Sequence, residues 1–186
     1  MEDRKTEVQT DWRRIERIFL VGYMGAGKTT VGRMLDEKTD WNFIDMDDFL
    51  EKKYGMTIRN IFEEKGEKTF RQMERRCLKE LLLKTHVVVA TGGGVPCFDD
   101  NMRLIGQCAF CFYLKSSPEE LARRLELSGV EKRPTLQNRS GRELVDFVEK
   151  TLSARSPFYE QADAIVEGSV EELFQKIAVI ARLYTA

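Results

Sequence analysis

A glycine-rich run, Gly22–Thr30, has the residue types and the spacing needed to hold phosphate groups. Its pattern, Gly-x4-Gly-Lys-Thr between an apolar run and a helical one, is typical of a phosphate-binding P-loop rather than of an ordinary glycine-rich turn. The N–H groups of such a loop form a nest for phosphate oxygens, and the following helix adds the positive end of its dipole. We expect Lys28 to reach the β- and γ-phosphates and the Thr29 hydroxyl to ligate Mg²⁺. The run predicts a nucleoside triphosphate site, with the candidate residues Gly25, Ala26, Gly27, Lys28, Thr29 and Thr30.

Two aspartates, Asp45 and Asp47, follow the second predicted strand. In an extended segment, residues two apart point the same way, so both carboxylates are expected on one side. One can hold Mg²⁺, and the other can accept a proton from a substrate hydroxyl or hydrogen-bond to it. The alternative is that both only cap the next helix. The third strand ends in Thr91 and Gly92-Gly93-Gly94 without a carboxylate, which favours Asp45 as the metal ligand. Three successive glycines indicate a backbone that a ligand approaches closely.

Two arginines adjoin the apolar faces of predicted helices. Arg71 lies beside the apolar stripe of the longest helix, three residues before Glu74, and Arg155 shares the core-facing side of a later helix. A core-facing arginine needs an anionic partner. Two such arginines suit a bidentate clamp on a substrate carboxylate, and a pair of internal salt bridges is the alternative.

A polar stretch without periodicity, residues about 128–141, is predicted to be a mobile loop of the kind that forms lids. It carries Arg133, which could neutralise charge on a transferred phosphoryl group, although a solvated surface charge is the alternative. Arg124 ends the preceding helix, from where it could also reach the nucleotide.

These residues require a scaffold of alternating strands and helices, which predicts a three-layer α/β domain with a parallel sheet. The predicted strands are about 17–21, 42–45, 87–90, 108–114 and 162–166. The predicted helices are about 28–38, 47–55 with Asp47 or Asp48 as N-cap, 57–64, 67–84, 118–127, 143–159 and 170–183. Because ligands bind outside the carboxyl ends of parallel strands, the loops after the first three strands should face one crevice.

Length and composition set the class of protein. A chain of 186 residues with 42% hydrophobic residues predicts one domain, and a net charge of −1 argues against nucleic acid as a partner. Neither a signal-peptide core nor an apolar run near the roughly 18 residues of a membrane helix is present, so we expect a cytoplasmic protein without membrane contact. The Cys108-x2-Cys111 pair falls in a predicted buried strand, which favours four buried thiols over a metal site.

The ordered set of these sequence features resembles the shikimate kinase family, which consists of small P-loop kinases of the nucleoside-monophosphate-kinase type. The resemblance spans residues about 18–160. It is carried by Gly22–Thr30, Phe43–Asp47, Phe70-Arg71-x2-Glu74, Thr91–Gly94, Arg133-Pro134 and Arg155–Tyr159. It implies a five-stranded sheet of order 2-3-1-4-5 in a single domain, residues 17–186. Within that domain it implies a substrate-binding region at about 47–84 and a lid at about 128–141, whereas residues 1–16 are an extension without an assigned function.

The same resemblance implies ATP-dependent phosphorylation of the 3-hydroxyl of shikimate, on the route to chorismate and the aromatic amino acids. It implies that Asp47 contacts the shikimate hydroxyls and acts as base, that Arg71 and Arg155 bind the carboxylate, and that the Gly92–Gly94 backbone approaches the ring. Lys28, Thr29, Asp45 and Arg133 would serve phosphate and Mg²⁺. No motif identifies the residues that contact adenine. The family's adenine-contacting segment lies near the last strand, where this chain has Glu167-Gly168-Ser169. The alternatives are a gluconate or nucleotide kinase of the same fold, or a nucleotide-binding module without catalysis. We expect a monomer.

Overall fold

A computed structural model describes residues 15–128, 136 and 139–181 of the chain. Five parallel strands form one sheet in the order β2-β3-β1-β4-β5, which confirms the predicted fold. The strands are β1 (Arg17–Val21), β2 (Asn42–Asp45), β3 (Val87–Ala90), β4 (Phe110–Lys115) and β5 (Ala164–Glu167).

Seven α-helices in the described part of the chain connect and cover these strands. They are α1 (Lys28–Lys38), α2 (Met46–Tyr54), α3 (Ile58–Leu81), α4 (Asn101–Cys108), α5 (Pro118–Leu127), α6 (Gly141–Tyr159) and α7 (Val170–Ile180), with one 3₁₀-helix, Val95–Cys97. The 24-residue α3 contains a break at Gly66, whose φ of 74° is outside the helical range. The sequence predicted two helices there, and the break explains why.

The core lies at the three central strands. Ile18 to Val21 of β1 have no exposed surface, and β3 and β4 are buried apart from Lys115. Such continuous apolar runs are typical of parallel strands covered by helices on both faces. None of the helices in the described ranges is long and apolar enough to span a bilayer.

The register of the sheet brings the functional loops to one level. Asp45 at the end of β2 pairs with Ala90 at the end of β3, and Ala90 pairs with Leu20, one residue before the end of β1. The loops after these three strands therefore leave the same edge of the sheet, as the crevice rule for parallel sheets requires.

The sequence analysis was wrong about the segment before β4. Residues 101–108 form α4, which was not predicted, and Cys108 ends that helix in an exposed position instead of lying in a strand. Only Cys77 and Cys111 are buried, so the expectation of four buried thiols fails. The short helix has few apolar positions (Met102, Leu104 and Ile105), which is too weak a pattern to stand out beside the strong strand that follows.

Candidate active site

A cavity of about 420 Å³ opens at the carboxyl ends of β1, β2 and β3. It brings together residues from the P-loop, the acidic segment and the triple glycine. Its lining consists of Met24, Gly25, Gly27, Lys28, Thr29, Thr30, Asp45, Asp47, Thr91, Gly92, Gly93, Arg124, Ser128 and Val170.

The P-loop turns from β1 into α1 through backbone conformations that favour glycine. Gly25 and Gly27 have φ values of 83° and 97°, and Gly27 is the N-cap of α1. Lys28 is 9% exposed, and its ammonium donates hydrogen bonds to the carbonyl oxygens of Gly22 (2.8 Å) and Tyr23 (2.9 Å). The loop thus holds the lysine at the mouth of an anion nest, where phosphate oxygens can compete for its N–H groups.

Asp45 joins the P-loop to the acidic segment. Its Oδ2 accepts a hydrogen bond from the Thr29 hydroxyl (2.8 Å), and its Oδ1 accepts one from the backbone N–H of Asp47 (3.0 Å). Asp45 is therefore the N-cap of α2, whereas the sequence analysis placed the cap at Asp47 or Asp48. A hydroxyl and a carboxylate side by side fit Mg²⁺, which is usually bound by one or two protein oxygens together with phosphate oxygens and water. The described residues contain no cluster of three or more His, Cys, Asp or Glu, so a cage made by protein alone is absent there.

Asp47 lies in the first turn of α2, not in the extended segment that the sequence predicted. Asp45 and Asp47 nevertheless line the same cavity, because the strand-to-helix turn carries both toward it. Burial raises the pKa of Asp47 from 3.8 to about 6, and the neighbouring Asp45 charge raises it further than the Lys28 charge lowers it. A carboxylate with a pKa near neutrality is suited to accept a proton at physiological pH.

The triple glycine gives room to these carboxylates. A Cβ atom at Gly92 would lie 2.7 Å from Oδ1 of Asp47, and one at Gly94 would lie 3.0 Å from Nη1 of Arg71. The hydroxyl of Tyr159 donates a hydrogen bond to the carbonyl oxygen of Gly93 (2.5 Å). The glycines are thus packed against Asp47 and Arg71, and Tyr159 of α6 fixes the middle one.

Arg71 and Glu74 form an ion pair on α3. Nη1 of Arg71 donates to Oε2 of Glu74 at 2.9 Å, and Nη2 donates to Oε1 of Glu67 at 3.3 Å. Glu74 is buried, and burial raises its pKa to about 7 although the charge and the hydrogen bond of Arg71 lower it. Nε of Arg71 is buried without a hydrogen-bond partner. One predicted internal salt bridge is therefore present, yet the guanidinium keeps N–H capacity for a ligand.

Arg155 lies on α6 and reaches the same region. Its Cζ is 5.5 Å from the centroid of the Tyr23 ring, and a Cβ atom on Gly93 would lie 3.6 Å from its Nη1. Burial raises the pKa of Tyr159, and the positive charge and hydrogen bond of Arg155 offset only part of that effect. Across the described ranges, Arg155 takes part in no salt bridge with a carboxylate within 4.0 Å. The alternative of internal salt bridges thus applies to Arg71 in part. It does not apply to Arg155 within the described ranges.

A second cavity, of about 670 Å³, adjoins the first through Arg124, which lines both. Arg124 donates to Glu120 at 2.6 Å, and its Nη1 lies 3.5 Å from the carbonyl oxygens of Gly25 and Ala26. Gly168 and Ser169 occupy the place expected for the adenine contacts, although no motif marks them. Both residues line this second cavity. Arg133 and most of the predicted lid, residues 129–135, 137 and 138, lie outside the described residues.

Several residues near the site had no role in the sequence analysis. Tyr159 supports Gly93, and the ring of Phe98 lies against Arg71. Tyr159 ends the run that begins at Arg155, one helical turn later, so helical spacing could have placed both on one face. No local signal indicates that Phe98 reaches α3, because that contact crosses 27 residues of sequence.

Comparison with known proteins gives one consistent result. The family model described as shikimate kinase matches residues 24–181. A shikimate kinase of Parabacteroides distasonis is 48% identical over 148 residues, which cover 80% of this chain and 85% of the relative. The crystal structure of the shikimate kinase of Bacteroides thetaiotaomicron aligns with a TM-score of 0.85 at 38% identity, covering 91% of this chain and all of the other. A shikimate kinase of Acinetobacter baumannii in complex with shikimate aligns with a TM-score of 0.80 at 36% identity, covering 92% and 96%.

Proposed function

The chain belongs to the shikimate kinase family, and on this premise we propose how its site carries out the family's reaction. The reaction is transfer of the γ-phosphoryl group of ATP to the 3-hydroxyl of shikimate, in aromatic amino acid biosynthesis. The observation that carries the proposal is the single cavity in which the P-loop, Asp45, Asp47 and the triple glycine meet. Alternative acceptors such as gluconate or a nucleotide are not favoured by the relatives named above, which are shikimate kinases.

The P-loop side binds the triphosphate. We assign the loop N–H groups from Gly25 to Thr30 to the phosphate oxygens, and Lys28 to the β- and γ-phosphates. Lys28 donates hydrogen bonds to two loop carbonyl groups, so phosphate binding exchanges those hydrogen bonds for charge-assisted ones. Arg124 stands between the two cavities, and we place the adenosine part of ATP in the larger one, beside Gly168 and Ser169.

Thr29 and Asp45 are the residues that would hold Mg²⁺. Their oxygen atoms are already within 2.8 Å of one another and line the phosphate cavity. Mg²⁺ held by these two residues would supply positive charge against the phosphates during transfer. Asp45 has a second task, because its other oxygen caps α2 and so fixes the turn that carries Asp47.

Asp47 holds the acceptor hydroxyl and takes its proton. Its raised pKa leaves it largely ionised at neutral pH while keeping it basic enough to accept a proton as the phosphoryl group moves. Gly92 leaves room for this carboxylate, since a Cβ atom at that position would lie 2.7 Å from Oδ1 of Asp47. Phosphoryl transfer depends largely on positioning, so orientation of the hydroxyl is the first part of this role.

Arg71 and Arg155 bind the shikimate carboxylate from two helices. Arg71 is oriented by Glu74, and Arg155 approaches Gly93 from α6 without a carboxylate partner in the described ranges. A planar carboxylate matches the fork of a guanidinium better than a point charge would. The two arginines thereby set the distance between the carboxylate end of shikimate and the hydroxyl held by Asp47.

The remaining proposals concern the division of the chain, its lid and its location. We treat residues 17–186 as one kinase domain with a substrate-binding region at about 47–84 and a lid at about 128–141, from which Arg133 would reach the ATP phosphates. The extension at 1–16 has no assigned role. We also propose that the enzyme acts as a monomer in the cytoplasm.

An assay of ADP release tests both the identity of the acceptor and the roles given to the residues that bind it. Purified enzyme with ATP and Mg²⁺ is given shikimate, gluconate or a nucleoside monophosphate in parallel. We expect turnover with shikimate at least about a hundredfold above either alternative, since only shikimate offers a carboxylate to the clamp and a hydroxyl to Asp47 at the right separation. Equal turnover with gluconate, which also carries a carboxylate and hydroxyl groups, would contradict the assignment of shikimate as the acceptor.

A further inference from the structure

The ring of Phe98 lies against the guanidinium of Arg71. Cζ of Arg71 is 3.7 Å from the centroid of the Phe98 ring and 5.0 Å from that of Phe70. A guanidinium within about 6 Å of a ring centroid is attracted by the negative face of the ring. The 3.7 Å separation makes Phe98 the closer of the two partners, and Phe98 comes from a different part of the chain than α3.

The segment that carries Phe98 is fixed by its own hydrogen bonds. Phe98 follows the 3₁₀-helix, and Asp99 next to it has a left-handed φ of 48°. The backbone N–H of Asn101 donates to the carbonyl oxygen of Phe98 (3.1 Å), and the Asn101 side chain donates to that of Val95 (2.9 Å). Asn101 is 2% exposed, so the turn is tied from inside the protein.

Arg75 ties the same segment to α3. Its Nη1 donates to Oδ1 of Asn101 at 2.8 Å, and its Nη2 pairs with Asp100. Arg75 is four residues after Arg71, so the two guanidinium groups start from the same face of the helix. Helix α3 therefore carries Arg71 and also Arg75, which anchors the segment that brings the Phe98 ring to Arg71.

A ring contact orients Arg71 in a way that its carboxylate partners cannot. Glu74 and Glu67 each occupy an N–H group of the guanidinium. The ring uses the face of the group and leaves its edge, where hydrogen bonds to a substrate carboxylate form. Phe98 thus restricts the orientation of Arg71 without competing for the donors that the substrate needs.

We propose that Phe98 is a positioning residue that holds Arg71 in the orientation that binds the shikimate carboxylate, and that Arg75 keeps Phe98 there through Asp100 and Asn101. The proposal rests on the role given above to Arg71. It makes the 98–101 segment a determinant of specificity for acceptors that carry a carboxylate.

Steady-state kinetics of Phe98→Leu tests this role. We expect the KM for shikimate to rise about fivefold, the factor that a cation–π contact of ordinary strength corresponds to, with kcat and the KM for ATP within twofold of the parent. Phe98→Tyr keeps the ring face and should restore the KM. Phe147→Leu is the matched control, since it removes a ring 4.3 Å from Arg139, a pair that lines neither cavity.

A neutral analogue adds a readout that a general packing defect would not change. The parent enzyme should prefer shikimate to its methyl ester, and in Phe98→Leu this preference should shrink by the same factor of about five, because the ester has no charge for Arg71 to hold. Arg75→Gln should also raise the KM for shikimate and reduce the preference over the methyl ester, each by a smaller factor of about twofold.

The outcomes separate this inference from the role of Arg71 itself. An unchanged KM for shikimate in Phe98→Leu, together with a raised KM in Arg71→Lys, overturns the positioning role and leaves the clamp intact. An unchanged KM in both variants removes Arg71 from the site, and the inference with it. A Phe98→Leu enzyme that loses kcat and raises both KM values alike, with the ester preference preserved, also overturns the proposal, because that pattern indicates loss of packing.

Discussion

The phosphate side and the acceptor side of the cavity are built in different ways. On the phosphate side, one contiguous loop supplies the nest, and its lysine rests on carbonyl oxygens of that same loop. On the acceptor side, Asp47, Arg71, Arg155 and the triple glycine come from four separate elements. The phosphate side relies on backbone groups, whereas the acceptor side relies on charged side chains, among which burial raises the pKa of Asp47 and of its neighbour Glu74.

The difference reflects what each side must recognise. Phosphate groups are common to every nucleoside triphosphate, so a short loop of backbone donors suffices and can be reused in many enzymes. The acceptor must be selected by a carboxylate and a hydroxyl a fixed distance apart, and only side chains from several elements can span that distance. The raised pKa values of Asp47 and Glu74 show that burying these carboxylates has a free-energy cost.

Replacing Lys28 should have the largest effect and should act on the phosphate side alone. We expect Lys28→Ala to lower kcat by about 10²- to 10³-fold, the usual range for loss of a preorganised charged donor. The KM for shikimate should stay within about twofold, because Lys28 belongs to the loop. Lys150→Ala, an exposed lysine on α6, is the control. A large change in shikimate affinity would show that the two sides are not separable.

Replacing Asp47 should stop transfer from the acceptor side. We expect Asp47→Asn to lower kcat by about 10²-fold, within the range for loss of a general base. In the parent, kcat/KM should fall about tenfold per pH unit below the pKa of about 6, because the ionised form is required, and the variant should lack this limb. The exposed neighbour provides the control Asp48→Asn. Full activity in Asp47→Asn would contradict any proton transfer to this residue.

The same substitution should stabilise the fold, which no phosphate-side variant is expected to do. A raised carboxyl pKa means that the folded state disfavours the ionised form, so the penalty is absent below pH 3.8 and complete above about pH 6. We expect the free energy of unfolding of Asp47→Asn at pH 8 to exceed that of the parent by about 3 kcal/mol, with a smaller difference at pH 5 and almost none near pH 3.5. Urea denaturation at the three pH values measures it, and a pH-independent difference would refute the assignment.

Replacing Arg71 by lysine should alter affinity rather than rate. We expect Arg71→Lys to raise the KM for shikimate about tenfold, because an ammonium group cannot reproduce the fork, while the KM for ATP changes less than about twofold. Arg76→Lys, at an exposed position of the same helix, is the matched control. Equal increases in both KM values would indicate that the acceptor side also shapes the nucleotide site.

A glycine pair gives the smallest expected effect. A Cβ atom at Gly92 would lie 2.7 Å from Asp47, so Gly92→Ala should lower kcat/KM for shikimate by about fivefold through displacement of that carboxylate. Gly106 lies on α4 with nothing within 4 Å of the added atom, so Gly106→Ala should keep activity and stabilise the fold by about 0.5–1 kcal/mol. If both variants behave alike, the tight contact at Gly92 has no bearing on function.

The sequence predicted the sheet and most of its helices because their signals are local. The apolar runs of β1 and β3 and the Pro118 start of α5 were each located to the residue. The errors lie where the pattern is short or ambiguous. Helix α4 was missed, and the N-cap of α2 was placed two or three residues late because Asp45, Asp47 and Asp48 are all good caps. Only the backbone hydrogen bond from Asp47 to Asp45 distinguishes them.

The sequence was enough to predict a triphosphate site and to name the candidates for the acceptor side, since a P-loop is one unbroken run and the family's motifs keep their order. The tertiary structure alone decided how those candidates meet. It places Asp47 within reach of Gly92, pairs Arg71 with Glu74, and brings Phe98 onto Arg71 from 27 residues away. Burial then sets the pKa values of Asp47 and Glu74, because desolvation depends on what surrounds a charge in space and not on its neighbours along the chain.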